Sequence, residues 1–156
     1  MTNLSHGGRL ALIKSVLQVT PLHMLQVVSP PKSVLIAIEC IFNGFFWGSY
    51  NGRKHIHWTS WAKVCFSIAE GGLGIRGLTH YVRAFSMRLW WRFRLRSLLW
   101  SEFLHGRYYR TLHPILVPYN QNHFPIWHRL CHIREVAEPF IFRVLGNRAV
   151  SSWHDN

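Results

Sequence analysis

The stretch THYVRAFSMRLWWRFRLR (79–96) decides how this chain is read. It holds no glycine or proline, and Thr79 is a residue type suited to start a helix. At 100° per residue, Val82, Phe85, Leu89 and Phe93 line one face. Arg88, Arg92 and Arg96 follow one another at i, i+4 and i+8 along a second face. The pattern predicts one long helix over about 79–96, apolar on one side and cationic on another. A cationic stripe of this kind can track successive phosphates of a nucleic acid. It can equally be a solvated face whose arginine stems cover apolar neighbours.

Working outward, a second basic, aromatic helix is expected over about 97–109. Before the long helix lies EGGLGI (70–75), where three glycines in four residues imply positive φ angles or a close backbone approach. RKHIHW (53–58) alternates like a short strand, and Thr59 or Ser60 can cap a brief helix over 61–65. Toward the N-terminus, Leu10, Ile13 and Leu17 recur at helical spacing, predicting a helix over about 5–19 that Pro21 stops. An apolar piece (22–28) follows. Pro30-Pro31 then opens a helix over about 32–46, which Gly48 and Asn51-Gly52 end. Beyond Pro114 the chain is rich in turn residues up to Pro125. A last helix over about 126–138 leads to the strand-like FIFRVL (140–145) and a Gly146-Asn147 turn. The expected fold class is mainly α, an irregular helical assembly with short β pieces near 53–58 and 139–153.

Charge narrows the function classes. The 156 residues carry 18 Lys+Arg against 6 Asp+Glu, a net +12, while 49% of them are apolar. A chain so apolar is not a disordered basic tail. Arginine outnumbers lysine 14 to 4, and seven arginines with one acid, Glu102, fall between Arg83 and Arg110. Arginine suits bidentate phosphate contact and aromatic stacking, so nucleic acid is the first partner class and an anionic membrane surface the second. The carboxylates are Glu39, Glu70, Glu102, Glu135, Glu138 and Asp155. A two-metal nuclease or polymerase needs several carboxylates converging on ions roughly 4 Å apart, and six scattered acids do not supply them. The longest greasy run, 33–47, is shorter than the roughly 20 residues of a membrane span and reads as a buried helix. Cys40, Cys65 and Cys131 are odd in number and widely spaced, which favours a reducing compartment.

Three further patterns invite chemical readings. His128 and His132 share a helix face as zinc ligands can, with His123 and Cys131 nearby, but Cys131 points about 100° away from His132. Ordinary helix residues are the better account. The GGLGI loop lacks both the Gly-Lys-Ser/Thr ending of a P-loop and complete GxGxxG spacing, so a structural turn is expected. Cys65 and Cys131 give no specific signal for nucleophilic catalysis in a chain with 11 histidines. No cofactor, metal site or catalytic residue is expected.

Read in order, several segments carry a resemblance. LSHGGRLALIKSVLQVTPLHML (4–25) and PPKSVLIAIECIFNGFFWG (30–48) come first. RKHIHWTSWAKVC (53–65), EGGLGIRGL (70–78), AFSMRLWWRF (84–93) and LGNRAVSSWHDN (145–156) follow. Together they resemble the segment just after the polymerase core in plant LINE-type (non-LTR) retrotransposon reverse transcriptases. In that family the polymerase aspartates lie upstream of the first segment, and the zinc-binding region lies downstream of the W-H-D run. The resemblance therefore implies an RNA-directed DNA polymerase lineage but transfers no catalytic residue. Phe66-Ser67 stands where the family usually has a proline-lysine pair, which implies a looser loop into Glu70. His23 replaces a more usual tyrosine.

On this resemblance, 1–50 are thumb-like helices and 51–78 a short strand, turn and glycine-rich loop. Residues 79–112 are then basic aromatic helices, and 113–156 a linker toward the zinc-binding region. Thumb helices hold primer–template duplex by its backbone, so Arg9, Lys14, Arg83, Arg88, Arg92 and Arg96 become the expected contacts to an RNA–DNA hybrid or RNA. The implied product is a truncated, nonautonomous reverse-transcriptase fragment that binds nucleic acid and does no chemistry alone. One alternative is a co-opted protein- or RNA-interaction module presenting Trp90, Trp91 and Trp100. Another is a peripheral membrane binder. An intracellular location is expected, with the nucleus favoured by the resemblance and an organelle as the alternative. The sequence sets no oligomeric state.

Overall fold

The computed structural model describes residues 4–48, 56–96, 98–108, 115–117 and 124–142. Its elements are helical, as the periodicity predicts, and no strand occurs among the described residues. Backbone contacts divide the chain into two compact units, Met1–Val82 and Arg83–Asn156.

The first unit starts with α1 (His6–Leu12), whose N-cap Ser5 accepts a hydrogen bond from the Gly8 amide at 3.2 Å. The helix does not stop before Pro21. It passes through a π-helical turn (Ile13–Leu17), closed by the Gln18 amide on the Ile13 carbonyl at 2.9 Å, and continues as α2 (Val19–Val27). The wider turn restarts the hydrogen-bond ladder, so Pro21 falls in the first turn of α2, where a missing N–H costs little. The piece 22–28, expected as a separate segment, is therefore mostly helix. By length and composition alone the run His6–Val27 could cross a membrane, a property hidden when the sequence is broken at Pro21.

Helix α3 (Lys32–Trp47) begins after extended Pro31 and ends at Gly48, whose φ of +73° closes the left-handed cap that only glycine adopts easily. Its Phe46 joins Ile13, Val64 and Ile75 in a small buried core, with Leu10, Leu17, Trp61 and Leu73 packed around it. Ile56–Trp58 do not pair as a strand: His57 stacks on Trp47 at 5.9 Å and bonds Asn43 at 3.4 Å, so helix α3 takes its side chain. Residues 53–55 lie outside the described residues. Helix α4 (Trp61–Val64) follows, with Ser60 at its N-cap position but no side-chain cap bond.

The glycine-rich segment is a tied turn. Ser67 donates from its amide (3.2 Å) and its hydroxyl (2.8 Å) to one carboxylate oxygen of Glu70, across a short 3₁₀ turn (Ile68–Glu70). These two bonds hold the Glu70 carboxyl below its usual range. The looser loop implied by Phe66-Ser67 is thus corrected, because Ser67 supplies the tie. Gly71 and Gly74 have φ of +80° and +67°. A Cβ on Gly72 would collide with the Phe66 carbonyl. Positive φ and close approach both occur, as the glycine spacing predicts.

The boundary between the units falls within α5 (Leu78–Arg94). The second unit contains the remainder of that helix, α6 (Leu99–Tyr108) and α7 (Pro125–Ala137), followed by a 3₁₀ turn (Glu138–Phe140). Its core is aromatic: Trp90, Phe93, Leu104, Trp127, Leu130 and Ile133 are buried together. Phe93 sits at the centre, stacked on His105 at 4.9 Å and edge-on to Trp127 at 5.8 Å. The expected β piece over 139–153 is not seen where it can be observed, since Phe140 is in the 3₁₀ turn and Ile141–Phe142 are irregular. Its remainder lies outside the described residues.

Candidate nucleic-acid interface

Helix α5 is anchored at its start by an acid from another element. Glu39 on α3 accepts the Leu78 amide at 2.7 Å, satisfying a first-turn donor and placing a negative group at the positive end of the helix. On the opposite flank, Gln18 donates to the Arg76 carbonyl at 2.7 Å, fixing the approach of the chain.

Along α5 the arginines divide into two groups. Arg83, Arg88 and Arg92 are exposed and make no hydrogen bond or ion pair among the described residues. Arg94 is 8% exposed, and its Nε lies 3.6 Å from a Glu138 carboxylate oxygen. The same oxygen accepts the Trp90 indole N–H at 2.7 Å. On α7, Arg129 is 5% exposed, donates from Nε to the Ser86 hydroxyl at 2.8 Å, and has its pKa lowered by burial. These two arginines are structural cations of the second unit. The apolar face differs accordingly from the predicted one. It centres on Ser86, Trp90 and Phe93, with Phe85 and Leu89 half-buried at its edge.

Two further predicted contacts stand differently. Arg96 does not extend the stripe: α5 ends at Arg94, the Arg96 amide turns back to the Phe93 carbonyl at 3.3 Å, and Arg96 itself has φ +50°. It is exposed, so the continuous helical stripe contains Arg88 and Arg92 alone. Arg9 is half-buried against the end of α3, donating from Nη1 to the Phe46 carbonyl at 3.4 Å and packing over Gly48. A cation on the free carbonyls of a helix C-terminus is a cap, so Arg9 has a structural task. Lys14 is exposed beside the glycine-rich turn.

Sequence reasoning does not single out Arg107. Its guanidinium lies 5.1 Å from the Phe124 ring centroid and 5.9 Å from that of Tyr108, a cation–π contact on the surface of the second unit. No periodic signal marks it, because Phe124 is 17 residues away in sequence. The three tryptophans expected to face a partner separate too. Trp90 is fully buried, Trp100 half-buried and Trp91 43% exposed, so Trp90 is withdrawn from that surface.

The remaining candidates are structural. His128 and His132 lie 5.0 Å apart, but Cys131 packs into the aromatic core. Its thiol is pushed up by burial. Among the described residues no three His, Cys, Asp or Glu side chains converge as a metal site, and His123 lies outside them. In the first unit a cleft of about 440 Å³ is lined by Glu39, Cys40, Asn43, Trp61, Cys65 and His80, among others. Burial and the Glu39 carboxylate push the Cys65 thiol up to about 11, so it is not a thiolate nucleophile at neutral pH.

No protein-family profile and no solved structure matches the chain. Two curated proteins of Arabidopsis thaliana are similar to it. The first, named "Putative ribonuclease H protein", is 36% identical over 107 residues, 68% of this chain. The chain spans only 17% of that relative's length. The second, an uncharacterized mitochondrial protein, is 28% identical over 129 residues, which cover 81% of this chain and 84% of the relative. The chain is thus related to plant proteins, one of them named for ribonuclease H, and its similarity to each extends over more than two thirds of its own length.

Proposed function

We propose that this chain derives from a plant retroelement, as a nucleic-acid-gripping segment of a LINE-type reverse-transcriptase lineage, and that it binds nucleic-acid backbone without chemistry of its own. The observation that carries the reading is the division of the arginines. Arg94 and Arg129 are used inside the second unit, whereas Arg83, Arg88, Arg92 and Arg96 are exposed with no acid beside them among the described residues. Cations left unneutralised on a folded surface fit a polyanion, and phosphate contacts position it without reading sequence. The name of the first relative and the ordered segments resembling the LINE-type enzymes agree with such an origin. The scattered acids are the reason no two-metal chemistry is proposed for it.

The test is affinity of the whole chain for an RNA–DNA hybrid over a salt series. The logarithm of the binding constant should fall linearly with the logarithm of salt, and Arg88→Gln with Arg92→Gln should reduce the slope by about two. A flat salt response, or no binding at low salt, refutes the reading. A second reading, an anionic membrane surface, is favoured by the helical run His6–Val27, which exposes Leu12, Val16, Val19, Met24 and Val27. Sedimentation with anionic vesicles in parallel separates the two.

A further inference from the structure

Adjacent tryptophans near the C-terminal end of α5 have opposite fates. Trp90 is fully buried and its indole N–H is bonded to Glu138. Trp91 keeps 43% of its surface exposed and has no hydrogen bond or ring contact among the described residues. Large aromatic surface left in water costs free energy, and here it lies beside two exposed cations. On the helix Arg88 and Arg92 lie about 60° and 100° from Trp91, both on the same side, and about 6 Å apart along the axis. Met87 and Leu95, one turn away on the same face, are its apolar neighbours along the helix, and they leave 43% of the residue in water. The local surface therefore holds a part-exposed indole with two positive charges along one side of it.

A base with its neighbouring phosphates has the complementary composition. We propose that Trp91 is a base-stacking platform for single-stranded nucleic acid, with Arg88 and Arg92 seating the adjacent phosphates. The proposal rests on the backbone-binding reading above and adds the strandedness of the ligand. In a duplex the base faces are covered by neighbouring pairs, so Trp91 can stack only where a strand is unpaired. Its neighbours carry the charge and Trp91 carries the preference.

The experiment compares four ligands of equal length at one low salt concentration. They are a single-stranded oligonucleotide, the same strand with abasic sites throughout, a duplex and an RNA–DNA hybrid. Wild type should bind the base-containing strand about 10-fold tighter than the abasic strand. Trp91→Ala should remove that difference and leave duplex and hybrid affinity unchanged, while Trp91→Phe should keep most of it. Equal binding of the base-containing and abasic strands by wild type overturns the stacking platform and leaves backbone binding intact. Failure to bind any of the four overturns both. Because the abasic comparison uses the unaltered chain, it decides the question even where Trp91→Ala folds poorly.

Discussion

The two units reach stability by different means. In the first, the cluster among the described residues is small, Ile13, Phe46, Val64 and Ile75, with Leu25, Leu35, Phe42 and Leu78 buried outside it, and backbone devices add order. The Glu39 cap on Leu78, the Ser67–Glu70 tie, the Arg9 cap on Phe46 and three glycines at positive φ are those devices. In the second, ten residues form one buried cluster rich in rings, with Arg94 and Arg129 buried beside it. The difference teaches that a net +12 is not one property. In the second unit cations serve both the interior and the surface, and only contacts in three dimensions show which arginine does which.

The largest effect should come from removing the ring at the heart of the second unit. Trp90→Ala deletes a fully buried indole and leaves the Glu138 carboxylate without its 2.7 Å donor. A loss of about 3–5 kcal/mol is expected, measured by urea unfolding, with the near-UV circular dichroism signal collapsing first. The neighbouring Trp91→Ala removes a residue with 43% of its surface already in water and should cost less, about 1–2 kcal/mol. Equal losses from the two would break the contrast between buried and exposed tryptophan.

A middle-sized effect should mark the first unit, where backbone rather than ring packing is tested. Gly72→Ala drives a Cβ into the Phe66 carbonyl, and backbone cannot swing aside as a side chain can. A cost of about 2–3 kcal/mol is expected. Gly71→Ala meets nothing within 4 Å and is strained only by its φ of +80°, so about 1 kcal/mol is expected. Thermal melts of both variants, side by side, measure the difference. If they lose the same amount, close approach at Gly72 is not what shapes the turn.

Much of this was legible in the sequence where the signal is local. The glycine run 71–74 and the Gly48 stop depend on nearby residues, and each appears as predicted. Helix α3, expected to be a buried helix, is only partly so: Leu35, Phe42 and Phe46 are buried, whereas Val34, Ile36 and Ile41 are exposed. Pro21 misleads because a π-helical turn before it changes its place in the ladder, and no sequence rule announces that turn. Trp90 misleads because helical geometry makes neighbours differ by 100° but does not say which one faces the core. The candidate interface was legible as residue type and only partly as residue choice. Arg88 and Arg92 are exposed as their spacing implies, whereas Arg94 is claimed by Glu138, 44 positions away.

The smallest effect addresses the one place where the second unit uses the first unit's device with a different residue. Gly48, Gly71 and Gly74 hold the left-handed positions of the first unit, while Arg96 is the only non-glycine at positive φ among the described residues. An L-residue there costs roughly 1 kcal/mol or more, which glycine would avoid. Arg96→Gly should therefore stabilise the chain by about 1 kcal/mol in urea unfolding, an unusual sign for removing a side chain. If Arg96 serves only to end α5, nothing else should change. If its charge is the reason an arginine occupies a position built for glycine, the same variant should reduce the salt slope of nucleic-acid binding by about one. Gain in stability with loss of slope is the expected pair, a local strain kept for a surface cation. Stability gained with the slope unchanged would leave Arg88 and Arg92 as the helical contacts and make Arg96 a helix stop with no part in binding.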